Sequence, residues 1–306
     1  MGEKRRYGNA SLLDSVTIMF TPRGRFGVLV CFRLPSINFT DENSQKIHKR
    51  KDKCLLYSLC NINFSLWISH MPILLLSRGD KEGRDLLRKA LEARYGMSVP
   101  AIETLKIDFE GRVRTKVGPI STWVPLATTT YFAFPGRGRW DFSVRAVGVP
   151  LRDGSNALDG DIYRKRRRNG EIQIIANPEH VRAARLWRFV ATGMILIPLS
   201  QQFIELQGTG ERSFRAINLE TKDTIEVVLN DDYTVSKVFA RSANPAMNFQ
   251  EQTYILRAED GQVAVNDFML PAKLTRLWDD EEQYEVKPVA VEINLPLSDG
   301  IFELEG

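Results

Sequence analysis

The sequence predicts a mainly β protein built on one large antiparallel sheet. After Pro100, apolar and polar residues alternate with a period of two through most of the chain, as half-buried strands require. Clusters of Gly, Pro, Asn and Asp divide these runs into segments short enough to pair as hairpins. The alternation of strands and helices that a parallel sheet needs is missing, so we expect an antiparallel meander.

The charge distribution separates two regions. The chain has 306 residues, is 43% hydrophobic and 26% charged, and has a net charge of +4. Such a composition is typical of a globular protein with a full core. The positive surplus lies in residues 1–78, whereas residues 79–306 are slightly acidic. An acidic body argues against a nucleic-acid partner, which would need a basic surface.

Residues 1–78 form a poorly structured or mis-assigned N-terminal extension. The basic run Lys46–Lys53 precedes the apolar stretch Leu55–Leu76, an arrangement typical of a signal peptide or membrane anchor at 46–76. Asn61 and Pro72 interrupt the stretch, and a small-residue cleavage site is missing. The other interpretation is that translation begins downstream, for example at Met71, so that this quarter is not part of the mature protein.

The cysteine and histidine residues predict no metal site. Cys31, Cys54 and Cys60 all lie in the extension, and their number is odd. The three histidines are scattered, whereas zinc needs four nitrogen or sulfur ligands at close spacing. Several aspartates lie between Asp153 and Asp161, but their spacing is not that of a calcium loop, and a solvated hairpin loop explains them. We expect neither a metal nor a cofactor.

The body of the chain, residues 79–306, begins with a helix. Asp80 is placed to cap its N-terminus, and Gly96 to end it. Its apolar face consists of Leu86, Leu87, Ala90 and Leu91.

The predicted strands follow this helix. The alternating sets are Thr130, Phe132 and Phe134; Trp140, Phe142, Val144 and Ala146; Ile225, Val227 and Leu229; and Val289, Val291, Ile293 and Leu295. The predicted turns are Pro135-Gly136, Asp153-Gly154, Asn169-Gly170, Asn230-Asp231-Asp232 and Asp260-Gly261.

One long helix interrupts the strands at about residues 178–197. Asn177 is a good N-cap, Pro178 suits the first position, and Pro198 helps to end the helix. Its predicted apolar face consists of Val181, Ala184, Trp187, Ala191, Met194 and Ile195. A sheet that is apolar on one face must be covered, and this helix is its natural cover.

This order of elements resembles the outer-membrane lipoprotein carrier and sorting superfamily over about residues 80–304. The matching segments are Leu86–Gly96 followed by Ile102–Gly111, Thr224–Ala240 with its central Asn-Asp-Asp turn, Asp267–Arg276, and Val291–Phe302. The resemblance implies a single large antiparallel sheet curled into an unclosed half-barrel and covered by one or two helices. It also implies a lipid, acyl-chain or lipoprotein ligand and a location in the cell envelope or periplasm.

We therefore expect a hydrophobic cavity beneath the helix at 178–197. The residues predicted to form the cavity and its lid are Phe132, Trp140, Phe142, Val144, Trp187, Ala191, Met194 and Ile195. Burial of an acyl chain there would contribute about 0.8 kcal/mol per CH₂. The other interpretation is that these side chains fill a dry core, in which case the domain is structural or binds proteins.

The strongest charge run is Arg164, Lys165, Arg166, Arg167 and Arg168. It directly precedes the predicted turn at Asn169-Gly170, so a solvated hairpin tip is one explanation. A transient contact with an anionic membrane surface is the other. A nucleic-acid site would add aromatic residues beside the charges, and only Tyr163 is near.

The sequence contains no recognisable catalytic motif. The nucleophile elbow and the phosphate-binding loop are both missing, and Gly208-Thr-Gly210 lacks the βαβ unit of a dinucleotide site. His180 is the only histidine of the body and lies in the first turn of a helix, where a solvated or capping role fits best. We therefore expect a non-catalytic binding protein and leave its oligomeric state open.

Overall fold

The computed structural model describes residues 17–20, 26–29, 77–117, 120–146 and 149–305. The chain divides into two compact units, Met1–Cys60 and Asn61–Gly306. The predicted signal or anchor segment at 46–76 and the three cysteines lie outside the described residues. None of the described helices is long and apolar enough to span a membrane. In the first unit, β1 (Thr17–Phe20) pairs antiparallel with β2 (Phe26–Leu29).

The described part of the second unit contains one sheet of fourteen strands. In chain order they are β3 (Arg78–Gly79), β4 (Thr104–Val117), β5 (Ile120–Ala133), β6 (Arg137–Ala146), β7 (Val149–Asp159), β8 (Ile162–Arg166), β9 (Ile172–Ile175), β10 (Ile204–Gly210), β11 (Ser213–Asn218), β12 (Thr224–Leu229), β13 (Val235–Asn244), β14 (Gln250–Val265), β15 (Phe268–Trp278) and β16 (Glu281–Ile293). Their order across the sheet is β3-β10-β11-β12-β13-β14-β15-β16-β4-β5-β6-β7-β8-β9.

The sheet is antiparallel, as predicted, except for the short parallel pairing of β3 with β10. The two edges, β3 and β9, do not pair with each other, so the sheet is not closed. The predicted mainly β fold with an unclosed antiparallel sheet and helical cover is confirmed.

Helix α2 (Pro178–Ile195) contacts strands that are far apart in the sheet. Its His180 lies 3.0 Å from Lys165 of β8, while the Trp187 indole donates to Ser242 of β13 at 3.2 Å. Eight pairings along the sheet separate β13 from β8, so both contacts require the sheet to curl around the helix. The side of the sheet that faces α2 is therefore concave.

Helix α1 (Lys81–Tyr95) begins and ends where the sequence predicts. The Asp80 carboxylate accepts from the Gly83 amide at 2.7 Å, a cap worth about 1 kcal/mol. It also accepts from the Gly208 amide of β10 at 3.0 Å, which ties the helix to the sheet. Gly96 ends the helix at a φ of 67°, a conformation that favours glycine.

Helix α2 is buried on more sides than its sequence pattern predicts. Asn177 caps it as expected, accepting from the Glu179 and His180 amides. The predicted apolar face is only partly correct, because Trp187 and Ala191 are half-buried. The buried residues are Ala183, Ala184, Leu186, Arg188, Phe189, Val190, Thr192, Gly193, Met194 and Ile195. The helix ends at Ile195 and continues into a short 3₁₀ turn at Ile197–Ser200.

Two of the predicted turns are wrong, and both contain glycine after aspartate. Asp153-Gly154 lies inside β7, where Gly154 is required because a Cβ would stand 2.7 Å from the Phe142 ring. Asp260-Gly261 lies inside β14 at a register shift, with φ values of 61° and 77°. These residues form a β-bulge that redirects the strand without ending it.

The last strand also departs from its predicted alternation. A register shift between Pro288 and Ala290 leaves Val289 49% exposed, whereas Val291 is buried. Ile293, at the end of β16, is 42% exposed. After this strand, α3 (Asp299–Glu303) packs against β6 and β7 and buries Phe302.

Candidate functional site

The strand residues predicted to bind a ligand lie on β5 and β6. Phe132 and Val144 are buried, at 4% and 7% exposure, and Phe142 is half-buried. These three belong to one hydrophobic core with the buried side chains of α2. Trp140 packs elsewhere, in a smaller cluster with Tyr163, whose ring centroid is 5.9 Å away. The predicted cavity residues of β5 and β6 therefore belong to two different hydrophobic clusters.

The helix residues of the predicted site belong to the larger core. Met194 and Ile195 are each 3% exposed, whereas Trp187 and Ala191 pack against the core while half-buried. The space facing α2 is thus filled by side chains along much of the helix, and any apolar ligand must displace some of them.

The sequence did not identify the partners of Trp187. Its ring lies 5.7 Å from Tyr254 of β14 and 5.8 Å from Trp278 of β15, and those two rings are 5.2 Å apart. Complete burial raises the pKa of Tyr254. Beside them the Arg276 guanidinium lies 4.6 Å from the centre of the Tyr284 ring, and its Nε is buried without an acceptor. The sequence indicates this cluster only weakly, because Tyr254 and Trp278 lie in strands far along the chain from Trp187.

The basic run at 164–168 does not form one surface. Lys165 points towards α2, whereas Arg164 and Arg166 lie on the opposite side of β8 because strand side chains alternate. Arg166 donates to Ser155 at 3.4 Å. Arg167 and Arg168 follow the strand and are exposed. The predicted membrane-contacting set is therefore distributed over two faces and a turn.

Lys165 and His180 form a contact between two basic groups. Their Nζ and Nε2 atoms are 3.0 Å apart, and the His180 ring packs between Tyr163 and Phe249. Burial, followed by repulsion from Arg152, lowers the pKa of Lys165. Burial and Lys165 lower the pKa of His180. The lowered pKa favours a neutral His180 ring, whose Nε2 accepts a hydrogen bond from the lysine in the tautomer that carries its proton on Nδ1. This pair has neither the nucleophile nor the carboxylate of a catalytic triad.

Arg152 extends this cationic region towards the concave face. Its guanidinium lies 5.6 Å from the centre of the Phe142 ring, and Phe142 belongs to the core beneath α2. Arg152 and Lys165 thus place positive charge at the border of the apolar face. Among the described residues, no group of three or more His, Cys, Asp or Glu side chains is arranged to hold a metal.

Two pockets are prominent, and neither is lined by the eight predicted cavity residues. The larger is an open cleft of about 810 Å³ between Trp123, Trp278 and the acidic turn at 279–282. The smaller measures about 190 Å³ and lies beside α2, where Arg188, Phe189 and Thr192 line it.

Several solved structures are similar to this chain. A DUF1329 family protein from Desulfovibrio piger has 11% identity and a TM-score of 0.43, and the match covers 74% of this chain and 98% of that one. A LolA superfamily protein from Nitrosomonas europaea has 10% identity and a TM-score of 0.43, with 73% and 98% covered. An outer membrane lipoprotein-sorting domain from Vibrio parahaemolyticus has 7% identity and a TM-score of 0.42, with 73% and 97% covered.

The lipoprotein carrier and sorting proteins that the sequence resembles are thus represented among these similar structures, and at these identities the likeness concerns the fold alone. No protein-family model and no curated protein matches the sequence.

Proposed function

We propose that this protein binds the acyl chain of a lipid or lipoprotein, without catalysis, between helix α2 and the concave face of its sheet. The observation that supports this most is an unclosed sheet curled around a largely apolar helix. The concave face carries the part-exposed Phe142 ring with Arg152 against it, and Lys165 lies on the same face. On the helix side, the Trp187 ring is also part-exposed. An acyl chain and its polar head group would find apolar and charged partners side by side.

Helix α2 acts as a displaceable cover in this proposal. Its polar connections to the sheet include Trp187 to Ser242 and Arg188 to the Pro135 carbonyl. The neutral Trp187 bond contributes about 0.5–1.5 kcal/mol net and the bond from the charged Arg188 about 1.5–3 kcal/mol, so packing also holds the helix in place. Because an acyl chain gains about 0.8 kcal/mol per buried CH₂, ten methylenes supply about 8 kcal/mol gross towards lifting it.

The anionic membrane contact belongs to the same proposal. A carrier must meet the bilayer from which it takes its lipid, and Arg167 and Arg168 are exposed at the β8–β9 turn. We place the protein in the cell envelope on the same grounds. Each exposed basic residue near an anionic surface adds about 1 kcal/mol of attraction.

A second candidate is a structural or protein-binding domain with a filled core. The deep burial of Met194 and Ile195 and the position of the 190 Å³ pocket away from the predicted cavity favour it. The two candidates differ in one measurable respect: only the first takes up an acyl chain.

Native mass spectrometry of the full chain with added palmitate and lysophosphatidylglycerol separates the candidates. We expect a bound acyl lipid that organic extraction removes, and we expect Ala191→Trp to abolish its uptake by filling the space beneath α2. Ala127→Trp is the matched control, because Ala127 is exposed on β5 and lies on the opposite side of that strand from buried Leu126. Failure of the native chain to take up either lipid would leave the filled-core domain as the better description.

A further inference from the structure

The 190 Å³ pocket contains a buried cation without an anionic partner. The Arg188 side chain comes from α2 and is 8% exposed as a residue. Its Nη1 donates to the Pro135 carbonyl at 2.7 Å, and its Nε is buried with no acceptor. Burial is the main reason why the pKa of Arg188 is lowered to about 10; the nearby Asp223 carboxylate opposes this shift and Arg185 contributes to it. The guanidinium remains charged at neutral pH, and its Nε–H lacks an acceptor.

The carboxylate that could neutralise Arg188 is already engaged. Asp223, itself 3% exposed, accepts from Arg185 at 2.6 Å, and Arg185 also holds Asp161 at 2.6 Å. Arg139, another buried arginine, has a carboxylate of its own in Asp141 at 2.9 Å. Among the described residues, Arg188 forms no ion pair, although a buried charge normally requires one.

The other residues that line the pocket indicate the polarity and size of a ligand that would fit there. Phe134, Phe189, Phe203 and Ile204 supply an apolar lining, and Thr192 is the polar neighbour one helical turn from Arg188. Because a water molecule occupies about 30 Å³, a pocket of 190 Å³ holds a ligand of roughly six to eight non-hydrogen atoms. Glu103 at the same pocket disfavours a second negative charge.

We infer that this pocket binds a small apolar monocarboxylate, with its carboxylate on the free edge of the Arg188 guanidinium and its chain among the phenylalanines. A planar guanidinium binds a carboxylate through two parallel hydrogen bonds, which a single point charge cannot provide. A phosphate dianion fits poorly, because one cation and an apolar wall leave its second charge unpaired.

This site is separate from the proposed acyl-chain face. Phe189 and Thr192 project from α2 about 100° or more away from Trp187 and Ala191, at 3.6 residues per turn. Arg188 lies about 60° from Ala191, so these two residues are neighbours on the helix surface although the two sites use different residues.

Gly138 of β6 makes room for the arginine. A Cβ at this position would lie 3.1 Å from Cδ and 3.4 Å from Cγ of Arg188. The aliphatic part of the side chain thus crosses β6 where side-chain bulk is absent, and the guanidinium reaches the pocket at the β5–β6 turn.

The test uses the full chain and pentanoate, with pentanamide as the neutral probe of the same shape and succinate as the dianion. We expect millimolar pentanoate to raise the melting temperature, because a ligand that binds only the folded state stabilises it. Pentanamide and succinate are expected to bind at least tenfold more weakly. Equal binding of pentanoate and pentanamide, or no shift with pentanoate, would overturn the inference and leave a pocket that holds solvent only.

Two variants locate the site. Arg188→Gln is expected to weaken pentanoate binding at least tenfold. Because it also removes the hydrogen bond to the Pro135 carbonyl, the shift caused by pentanoate is measured relative to the melting temperature of the unliganded variant. A purely structural arginine would lower that melting temperature and leave the pentanoate shift unchanged. Gln201→Trp, at an exposed position on the pocket rim, is expected to block entry without disturbing the core. Ala127→Trp, exposed on β5 and on the opposite side of that strand from buried Leu126, is the control that leaves pentanoate binding unaffected.

Discussion

Gly193 of α2 lies very close to the sheet. Adding a single methyl group at this position tests how tightly the helix packs against β12 and β13. A Cβ on residue 193 would stand 2.8 Å from Cγ1 of Val238 and 2.9 Å from Cδ1 of Ile225. Ordinary carbon contacts are about 3.5–4.0 Å, and both neighbours are completely buried. Overpacking of this kind costs about 1–3 kcal/mol, while replacing glycine by alanine in a helix returns about 1 kcal/mol. Gly193→Ala should therefore lower the free energy of unfolding by about 1 kcal/mol.

Urea unfolding of the full chain, followed by tryptophan fluorescence, measures this loss. Gly136→Ala is the matched control, because its Cβ would meet nothing within 4 Å, and its effect should stay within about 0.5 kcal/mol. Adding Val238→Ala to Gly193→Ala removes the nearest methyl group, so the pair should show a favourable coupling of about 1 kcal/mol in a double-mutant cycle. A Gly193→Ala protein more stable than the native chain would refute the close approach of α2 to β12 and β13.

Two further predictions concern charge. Because burial and Lys165 lower the pKa of His180 below its ordinary 6.5, the unfolded chain binds a proton there that the folded chain resists. The free energy of unfolding should therefore fall as the pH drops through about 6.5. When it is measured by urea unfolding at several pH values, His180→Gln should show a weaker dependence on pH. The same pH dependence in both proteins would contradict the lowered pKa of His180. Replacing both Arg167 and Arg168 by Gln should weaken binding to phosphatidylglycerol vesicles roughly thirtyfold at low salt, measured by sedimentation. Unchanged binding would exclude this turn as the membrane contact.

Local chemistry explains why the helix ends were predictable. Asp80 and Asn177 cap the helices that follow them, and Gly96 ends the first, because each interaction spans only a few residues. The alternation of Ile225, Val227 and Leu229 was recognisable for the same reason, and these residues lie in β12 (Thr224–Leu229), with the predicted turn at 230–232 directly after it.

Glycines whose role depends on distant residues were misread. Gly154 follows an aspartate, which is a frequent turn pair, yet it is needed because the Phe142 ring from the neighbouring strand lies against it. Gly261 serves a bulge that becomes evident only when the pairing of β14 with β15 is known. In both cases the deciding contact lies on another strand, so the local pattern could not distinguish a turn from a strand interior.

In the candidate sites, too, features set by local sequence were predictable and features set by contacts with distant strands were not. The apolar character of α2 was readable from its spacing, but Trp187 meets Tyr254 and Trp278 only after the sheet has curled. In the sequence, Arg188 is the third of three arginines at every third position, after Arg182 and Arg185, and this spacing does not distinguish it from the other two. Its burial depends on the β5–β6 turn, more than fifty residues earlier, whose carbonyl accepts its hydrogen bond.

The position of β16 in the sheet makes the order of synthesis matter. This strand joins β15 to β4, with Ile293 opposite Leu105, so it connects the two halves of the sheet. At about 5–20 residues per second, roughly ten to thirty seconds pass between the synthesis of β4 and that of β16. During that interval one edge of β4, which bears buried Leu105 and Ile107, has no partner strand. A nascent chain stalled before Glu281 would hold an open β edge, the feature that chaperones recognise and that aggregation exploits.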